Sequence, residues 1–477
     1  MKVRFGGRPF AKSTFGKCLN GSAAVVAIES GDSPDSDAAD QGFVYGLSST
    51  QRTVAITSGP AEASGSRAER SVIRPYRDEI AQNPSHLQRL TTSQKLLLDH
   101  FLHTVTRSFS LHAKSHHGFC STYLTLALHS SAQVLPTVLE ASAHHRRSLG
   151  LEHSDHELLS LRQASLQNFQ VPQDVSDDNT RDIAAATALM LCLCDVIAGG
   201  EKAGSWKLHL QGAMAILRQS PTGATNQTQM STQRRFLYRW GESLEVLSLL
   251  GPAAALNDEL VESNDDESDY IDEFHGFSRS LVQLIRQAHL LLLEQQSLRE
   301  GLVQIGGQSH GAGLDRLSRI IQTRKEEHNF HPSLKSYIGS ETQSDFVAVN
   351  VAFHHAVLLQ LYRRVQGLAW DDSSVEQSTE AILTSLSQLQ LREEACPGVA
   401  ILQPLFDAGC SSTQNHHREQ VLDLMDVLRK YYAMGNVSRA KAFLLEYWQM
   451  WDDTRARGGD LLWNDFLSQK GWELSLY

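Results

Sequence analysis

Long apolar runs are missing from this 477-residue sequence. Its most hydrophobic stretch, Ile183–Cys194, is bounded by Asp182 and Asp195 and is shorter than the roughly 18 residues that a membrane span needs. A secretory leader is missing too, since Met1–Phe10 is basic and glycine-rich. There is no basic surplus: 43 Lys and Arg stand against 54 Asp and Glu, a net charge of −11. Such a chain is a poor non-specific binder of polyanions, because attraction to phosphate needs a basic face. Contact with nucleic acid would need a local basic patch or another chain. Clustered cysteine is missing, because Cys18, Cys120, Cys192, Cys194, Cys396 and Cys410 are scattered. That scatter points to free thiols in a reducing compartment. Convincing runs of alternating strand pattern are missing, and so is any repeat of fixed period. Together these absences predict a soluble, intracellular, all-α protein. The length allows one large helical domain or two to three ordinary ones.

What is present begins with a segment of different character. Met1–Lys17 carries Lys2, Arg4, Arg8, Lys12 and Lys17 and no acid, whereas Glu29–Asp40 carries five acids among Ser, Ala and Gly. Through residue 84 the chain stays rich in small residues, which predicts a disordered, basic-then-acidic tail over 1–84. The basic start would suit DNA or importins, but a solvated tail is the plainer expectation.

From Ser85 the periodicity becomes helical, giving a large multi-helix domain of packed hairpins over 85–477. Leu87, Leu90, Leu97, Phe101 and Val105 predict one or two helices, followed by Phe119–Leu128, Val134–Arg147 and His153–Phe169. Asp177–Thr180 supplies capping chemistry for Arg181–Ala198. That helix is apolar on every side and is therefore expected at the centre. Further helices are predicted at Arg234–Leu250, Ile271–Glu300, Ser344–Val365, Ile382–Leu391, Val421–Tyr432, Val437–Trp451 and Leu461–Ser468. Asn257–Glu273 holds nine acids and few core residues, which predicts a solvated loop.

The chain is organised around Ser205–Gln219. Trp206, Leu210, Ala213 and Leu217 share one helix face. Gly212 lies beside that stripe. A glycine within a helix costs about 1 kcal/mol against alanine, so close approach of a second helix is expected there.

Trp206, His209, Leu210, Gly212, Ala213, Ile216 and Leu217 form a Trp-x-x-His-Leu-x-Gly-Ala pattern that resembles the signature helix of the fungal-specific transcription factor domain. Pro404-Leu405-Phe406-Asp407-Ala408-Gly409-Cys410 matches a second signature. It is followed by a helix pair ending in Glu446–Trp451 and then by Trp463. The order and separation of the two signatures also resemble that family. The resemblance implies a helical regulatory region that restrains or releases activation, contacts partner proteins and sometimes responds to a metabolite. In that family it follows a zinc-cluster DNA-binding module of six closely spaced cysteines, Cys-x2-Cys-x6-Cys twice over. Here the cysteine count matches but the spacing does not, so the module is absent from these residues. Autonomous DNA binding is thereby put in doubt.

Other constellations are weaker. The 21 histidines include the adjacent pairs 116–117, 144–145, 354–355 and 416–417. Neighbours on a helix diverge by about 100° and rarely share an ion. His153 and His156 have a better spacing but lack an HExxH context. Surface or half-buried histidines are expected rather than a metal site. Gly307-Gln308-Ser309-His310-Gly311 matches a nucleophile elbow, with Asp345 and His354 as partners only if a parallel sheet existed to hold the serine. Gly199-x4-Gly204-Ser205 lacks the lysine of a phosphate loop. Tyr447, Trp448 and Trp451 suit a small-molecule pocket less well than a core.

These readings converge on a nuclear, non-enzymatic transcriptional regulator, pathway-specific by the resemblance, with no catalytic, cofactor or metal residues assigned. Its expected partners are the transcription machinery or a DNA-binding protein, with homo- or heterodimerisation open. The alternatives are a helical scaffold unconnected with transcription and a serine hydrolase through Ser309.

Overall fold

Residues 183–194 present apolar side chains on every face, and a helix of that kind reaches low free energy only when other helices ring it. The computed structural model describes residues 89–130, 132–151, 154–167, 169, 178–199, 205–219, 230–251, 269–299, 307–325 and 327–476, with the pairs 4–5 and 8–9. Of residues 4–5, 8–9, 299 and 307–312 it describes the backbone alone. Sixteen α-helices lie among the described residues. The only strands there are Arg4–Phe5 and Arg8–Pro9, paired antiparallel, with isolated bridges at Ile271.

The first half holds α1 (Thr92–His103), α2 (Ala113–His129), α3 (Val134–Ser148), α4 (Asp155–Gln167), α5 (Asp178–Ile197), α6 (Ser205–Arg218) and α7 (Thr232–Leu250). Short helical turns at Val105–Phe109 and Pro397–Ala400 join neighbouring elements. α5 is the axis, packed by α3, α6, α7 and a helix from the far end of the chain. Its residues from Arg181 to Cys194 are all buried. The second half holds α8 (Arg279–Arg299), α9 (Gly307–Arg324), the one-turn α10 (Pro332–Lys335), α11 (Ser340–Gln360), α12 (Ser373–Ser387), α13 (Leu402–Ser411), α14 (Asn415–Tyr432), α15 (Gly435–Ala456) and α16 (Trp463–Lys470). There α11 packs on α8, α9, α12 and α13. One hydrophobic core runs from Leu97 to Leu476. A smaller cluster gathers Leu111, Ile271, Leu334, Ile338 and Phe346. No helix among the described residues is long and apolar enough to cross a membrane.

Local chemistry sets the boundaries. α1 starts in a capping box: Gln94 N–H donates to Thr91 Oγ1 at 3.2 Å, and Thr91 N–H donates to Gln94 Oε1 at 3.0 Å. The expected Ile382–Leu391 helix begins earlier, at Ser373, because Asp372 caps Ser374 N–H at 2.8 Å. The expected Ile271–Glu300 helix begins only at Arg279. Before it Asp272 accepts from the N–H groups of Phe274 and His275, and Gly276 turns the chain at φ +82°.

That turn corrects the solvated-loop expectation for Asn257–Glu273. Residues 252–268 lie outside the described ones, but Ile271 and Asp272 are both fully buried. Ile271 N–H donates to Asn329 O at 2.7 Å. Arg239 Nη2 donates to the Asp272 carboxylate at 2.6 Å. Burial alone would raise the Asp272 pKa, yet Arg239 and His275 hold it well below the usual carboxylate range. Acid content marked Asp272 as wet; pairing with Arg239 made it dry. The tail expected over 1–84 falls outside the described residues apart from 4–5 and 8–9.

Candidate functional site

Both signature segments are helices, α6 and α13, and their chemistry is structural. On α6, Trp206, His209, Leu210, Ala213, Met214 and Leu217 are at most 4% exposed. Its amino end is held by Asp195 of α5, which accepts from Ser205 Oγ at 2.6 Å. Asp195 also lies 3.6 Å from His209 Nε2 and accepts from Arg162 at 2.9 Å. The same Arg162 donates to the buried Glu140 at 3.0 Å. At the carboxyl end Arg234 donates to Leu217 O and Gln219 O at 3.1 and 3.0 Å, and Arg181 to Gln219 O at 2.8 Å. An acid at the start and two arginines at the end complement the helix dipole. Gly212 is buried as expected. On the partner helix α7, a Cβ on Gly241 would stand 2.5 Å from Met214 Sδ.

α13 is buried along its whole length. Phe406 packs edge-on to Trp463 and tilted against Phe443, with centroids 5.4 Å apart in each case. Gly409 has room for no side chain, since a Cβ would lie 2.8 Å from Leu444 Cδ1. Its carbonyl accepts from Trp448 Nε1 at 2.9 Å, and Cys410 O accepts from Tyr447 Oη at 3.3 Å. Asp407 is held between the side-chain amides of Gln360 and Gln403 at 2.6 and 2.9 Å. Burial pushes its carboxyl up to about 8. Tyr447, Trp448 and Trp451 are thus core residues.

One place where the two halves meet is the amino end of α15 against the carboxyl end of α5. A Cβ on Gly435 would stand 2.4 Å from Ile197 O and 2.7 Å from Gly199 N. Just before it Ala433 takes a left-handed conformation, φ 48°, and Tyr432 O accepts from His145 Nε2 at 2.9 Å. Beside this junction lies a cavity of about 70 Å³. Phe119, Trp240, Phe274 and Tyr432 contribute rings to its wall, and Met434 and Val437 bring the α14–α15 junction to it. Its polar contributions are hydroxyls and one amide, among them Ser108, Ser243 and Asn436; no ionised side chain lines it. The buried Asp272 segment forms one wall, because Phe274 is fixed between Phe236 at 5.4 Å and the Arg239 guanidinium at 4.6 Å.

The elbow pattern noted at 307–311 is not built as an elbow. Residues 307–311 lie in the first turns of α9 rather than at a strand-to-helix turn. No parallel sheet exists among the described residues. Asp345 accepts from Arg392 at 3.0 Å and Gln390 N–H at 3.1 Å, and His354 donates to Asn350 O at 2.7 Å within its own helix. The histidine expectation holds for ten of the described side chains, His116, His117, His144 and His416 among them, and needs correction for the rest. His145 and His354 are fully buried, and His112, His209, His275 and His289 are at most 4% exposed. A neutral imidazole enters a core cheaply when one N–H meets a backbone carbonyl, as His289 does with Leu249 O at 3.0 Å. His156 is exposed, and His153 lies outside the described residues. Among the described residues no three His, Cys, Asp or Glu side chains converge on a metal-sized site. The five described cysteines are buried and unlinked, and Cys18 and 200–204 lie outside that set.

Sequence reasoning missed the cavity, Gly241 and Gly435. A glycine at a helix start signals little in one dimension, and a cavity wall drawn from distant segments has no linear pattern.

The sequence model of one family, described as the fungal specific transcription factor domain, matches residues 96–477, from the first turns of α1 to the last residue. No curated protein and no solved structure matches the chain.

Proposed function

Because the chain belongs to the fungal specific transcription factor domain family, and is on that ground a transcription regulator, we propose that it acts in the nucleus on a restricted gene set through a protein partner. The observation that carries this reading is the extent of the family match, which spans the helical domain almost end to end. Two features support the reliance on a partner. The net charge of −11 disfavours unaided attraction to DNA, and the cysteine spacing within these 477 residues does not suit a zinc cluster. The partner is a DNA-binding protein or a component of the transcription machinery.

The test is a tagged chain followed under several growth conditions, with transcripts compared between parent and deletion strains. Nuclear residence and a coherent set of altered transcripts are expected. Exclusion from the nucleus under every condition, with unchanged transcripts, would favour the helical-scaffold alternative. Metal analysis of the purified chain is expected to find no zinc, and two zinc ions per chain would contradict the partner-dependent reading.

A further inference from the structure

We infer that the cavity beside the α14–α15 junction is a binding site for a small, neutral aromatic molecule carrying one O–H or N–H donor, of the phenol or indole type. This deepens the regulator reading and rests on it only for its biological meaning, since the binding itself is a property of the cavity.

The class follows from the wall. Phe119 and Trp240 meet edge to face, 4.9 Å between centroids at 87°. With Phe109, Phe274 and Tyr432 they offer ring faces and edges from several directions, an arrangement that favours another ring over an alkyl chain. The absence of an ionised side chain from the wall excludes carboxylates, phosphates and amines, whose charge would be buried without a partner. Ser243 is one hydrogen-bonding group of the wall. Its hydroxyl proton goes to Trp240 O at 2.8 Å, so what it offers a guest is lone pairs, and a guest bonded to it is the donor. Phe109, Phe274 and Val399 are the half-buried residues of the wall, the others being buried.

Size sets a further condition. A cavity of about 70 Å³ is smaller than the roughly 150 Å³ known to hold benzene, so a ring enters only if part of the wall yields. Met434 is the wall residue best able to do so, being unbranched and flexible. It stands between the left-handed Ala433 and Gly435, which abuts the end of α5. A guest that displaces Met434 therefore bears on the joint between the two halves of the domain.

The experiment uses the full chain, with isothermal titration and thermal unfolding in the presence of benzene, phenol, indole or benzoate. Phenol and indole are expected to bind one per chain and to raise Tm saturably, whereas benzoate at equal concentration leaves Tm unchanged. Ser243→Ala is expected to weaken phenol about tenfold, the loss of one hydrogen bond, and to leave benzene affinity unchanged. Ala400→Leu, which fills the wall, is expected to abolish binding without lowering Tm. Absence of a saturable shift with every neutral ring, benzoate equal to phenol, or an unchanged shift in Ala400→Leu would each overturn the inference. Should Ala400→Leu not fold, the phenol-against-benzene comparison in Ser243→Ala decides alone. Because these measurements read no transcript, their failure leaves the regulator reading standing, and nuclear exclusion would remove that reading while leaving the cavity result intact.

Discussion

His145 and His354 each give one ring nitrogen to a backbone carbonyl and lie fully out of water. Burial lowers both from 6.5 to about 4. The unfolded chain binds these protons near pH 6.5 and the folded chain only near pH 4, so their contribution is complete above pH 6.5 and is lost as pH falls toward 4. At pH 5 the expected loss is about 2 kcal/mol for each, checked by urea unfolding at pH 7 and pH 5. The double variant His145→Gln/His354→Gln should be less sensitive to that change. Asp407 has the opposite sign. Burial raises it to about 8 from 3.8, so its favourable contribution is complete below pH 3.8 and is lost as pH rises through 8. Gln403 Oε1 has no hydrogen-bond partner, and a flipped amide would accept a hydrogen bond from neutral Asp407 or from an asparagine. Asp407→Asn is therefore expected to match the parent near pH 4 and to exceed it by about 2 kcal/mol or more by pH 8. A gap that shrinks with rising pH would refute the assignment.

At the scale of helices, two glycines look alike in the sequence and differ in what surrounds them. Gly241 on α7 faces the end of the Met214 side chain, which can turn away, whereas Gly435 on α15 faces the backbone of Ile197 and Gly199, which cannot. Gly241→Ala is expected to cost under about 1 kcal/mol, and Gly435→Ala about 1–3 kcal/mol because the helix ends must separate. Trp206, 3% exposed on α6, should cost about 3–5 kcal/mol when replaced by alanine. Denaturant midpoints of the three variants give the ranking, and a Gly241→Ala loss larger than that of Gly435→Ala would contradict the packing described. The same elements show what was legible beforehand. The stripe of α6 and the all-round apolarity of α5 identified both helices and the central place of α5. Gly212 raised the expectation of a close helix contact on α6, but the contact at Gly241 of α7 against Met214 depended on a partner that the local pattern does not name.

Across the whole molecule, charge and connection matter most. With a net charge of −11 the purified chain is expected to show no retention on random duplex DNA at about 0.15 M salt, conditions under which a basic DNA-binding surface still holds non-specifically. Firm, salt-sensitive retention would mean that a local basic face had been overlooked. The two signature helices belong to different halves; one packs on α5 and the other on α15, and these two meet at Gly435. The segment from Asp269 to Phe277 works at this scale as well. It carries acids that sequence composition assigns to solvent, yet Arg239 from α7 holds Asp272 and Glu273, and Tyr337 Oη donates to Glu273 at 2.8 Å.

The order of side chains along the chain was enough to determine that this protein is built from helices, which one lies innermost, and which family its two signatures match. Helical periodicity, caps and motifs are short-range properties, carried by residues within a turn or two of each other. Only the tertiary structure decided that Asp272 and several of the described histidines are dry, that Asp345 and His354 serve separate contacts, and that a neutral, ring-lined cavity opens beside Gly435. Burial, ion pairing and cavity shape depend on which distant segments come to rest against one another, and that information is distributed over the whole fold.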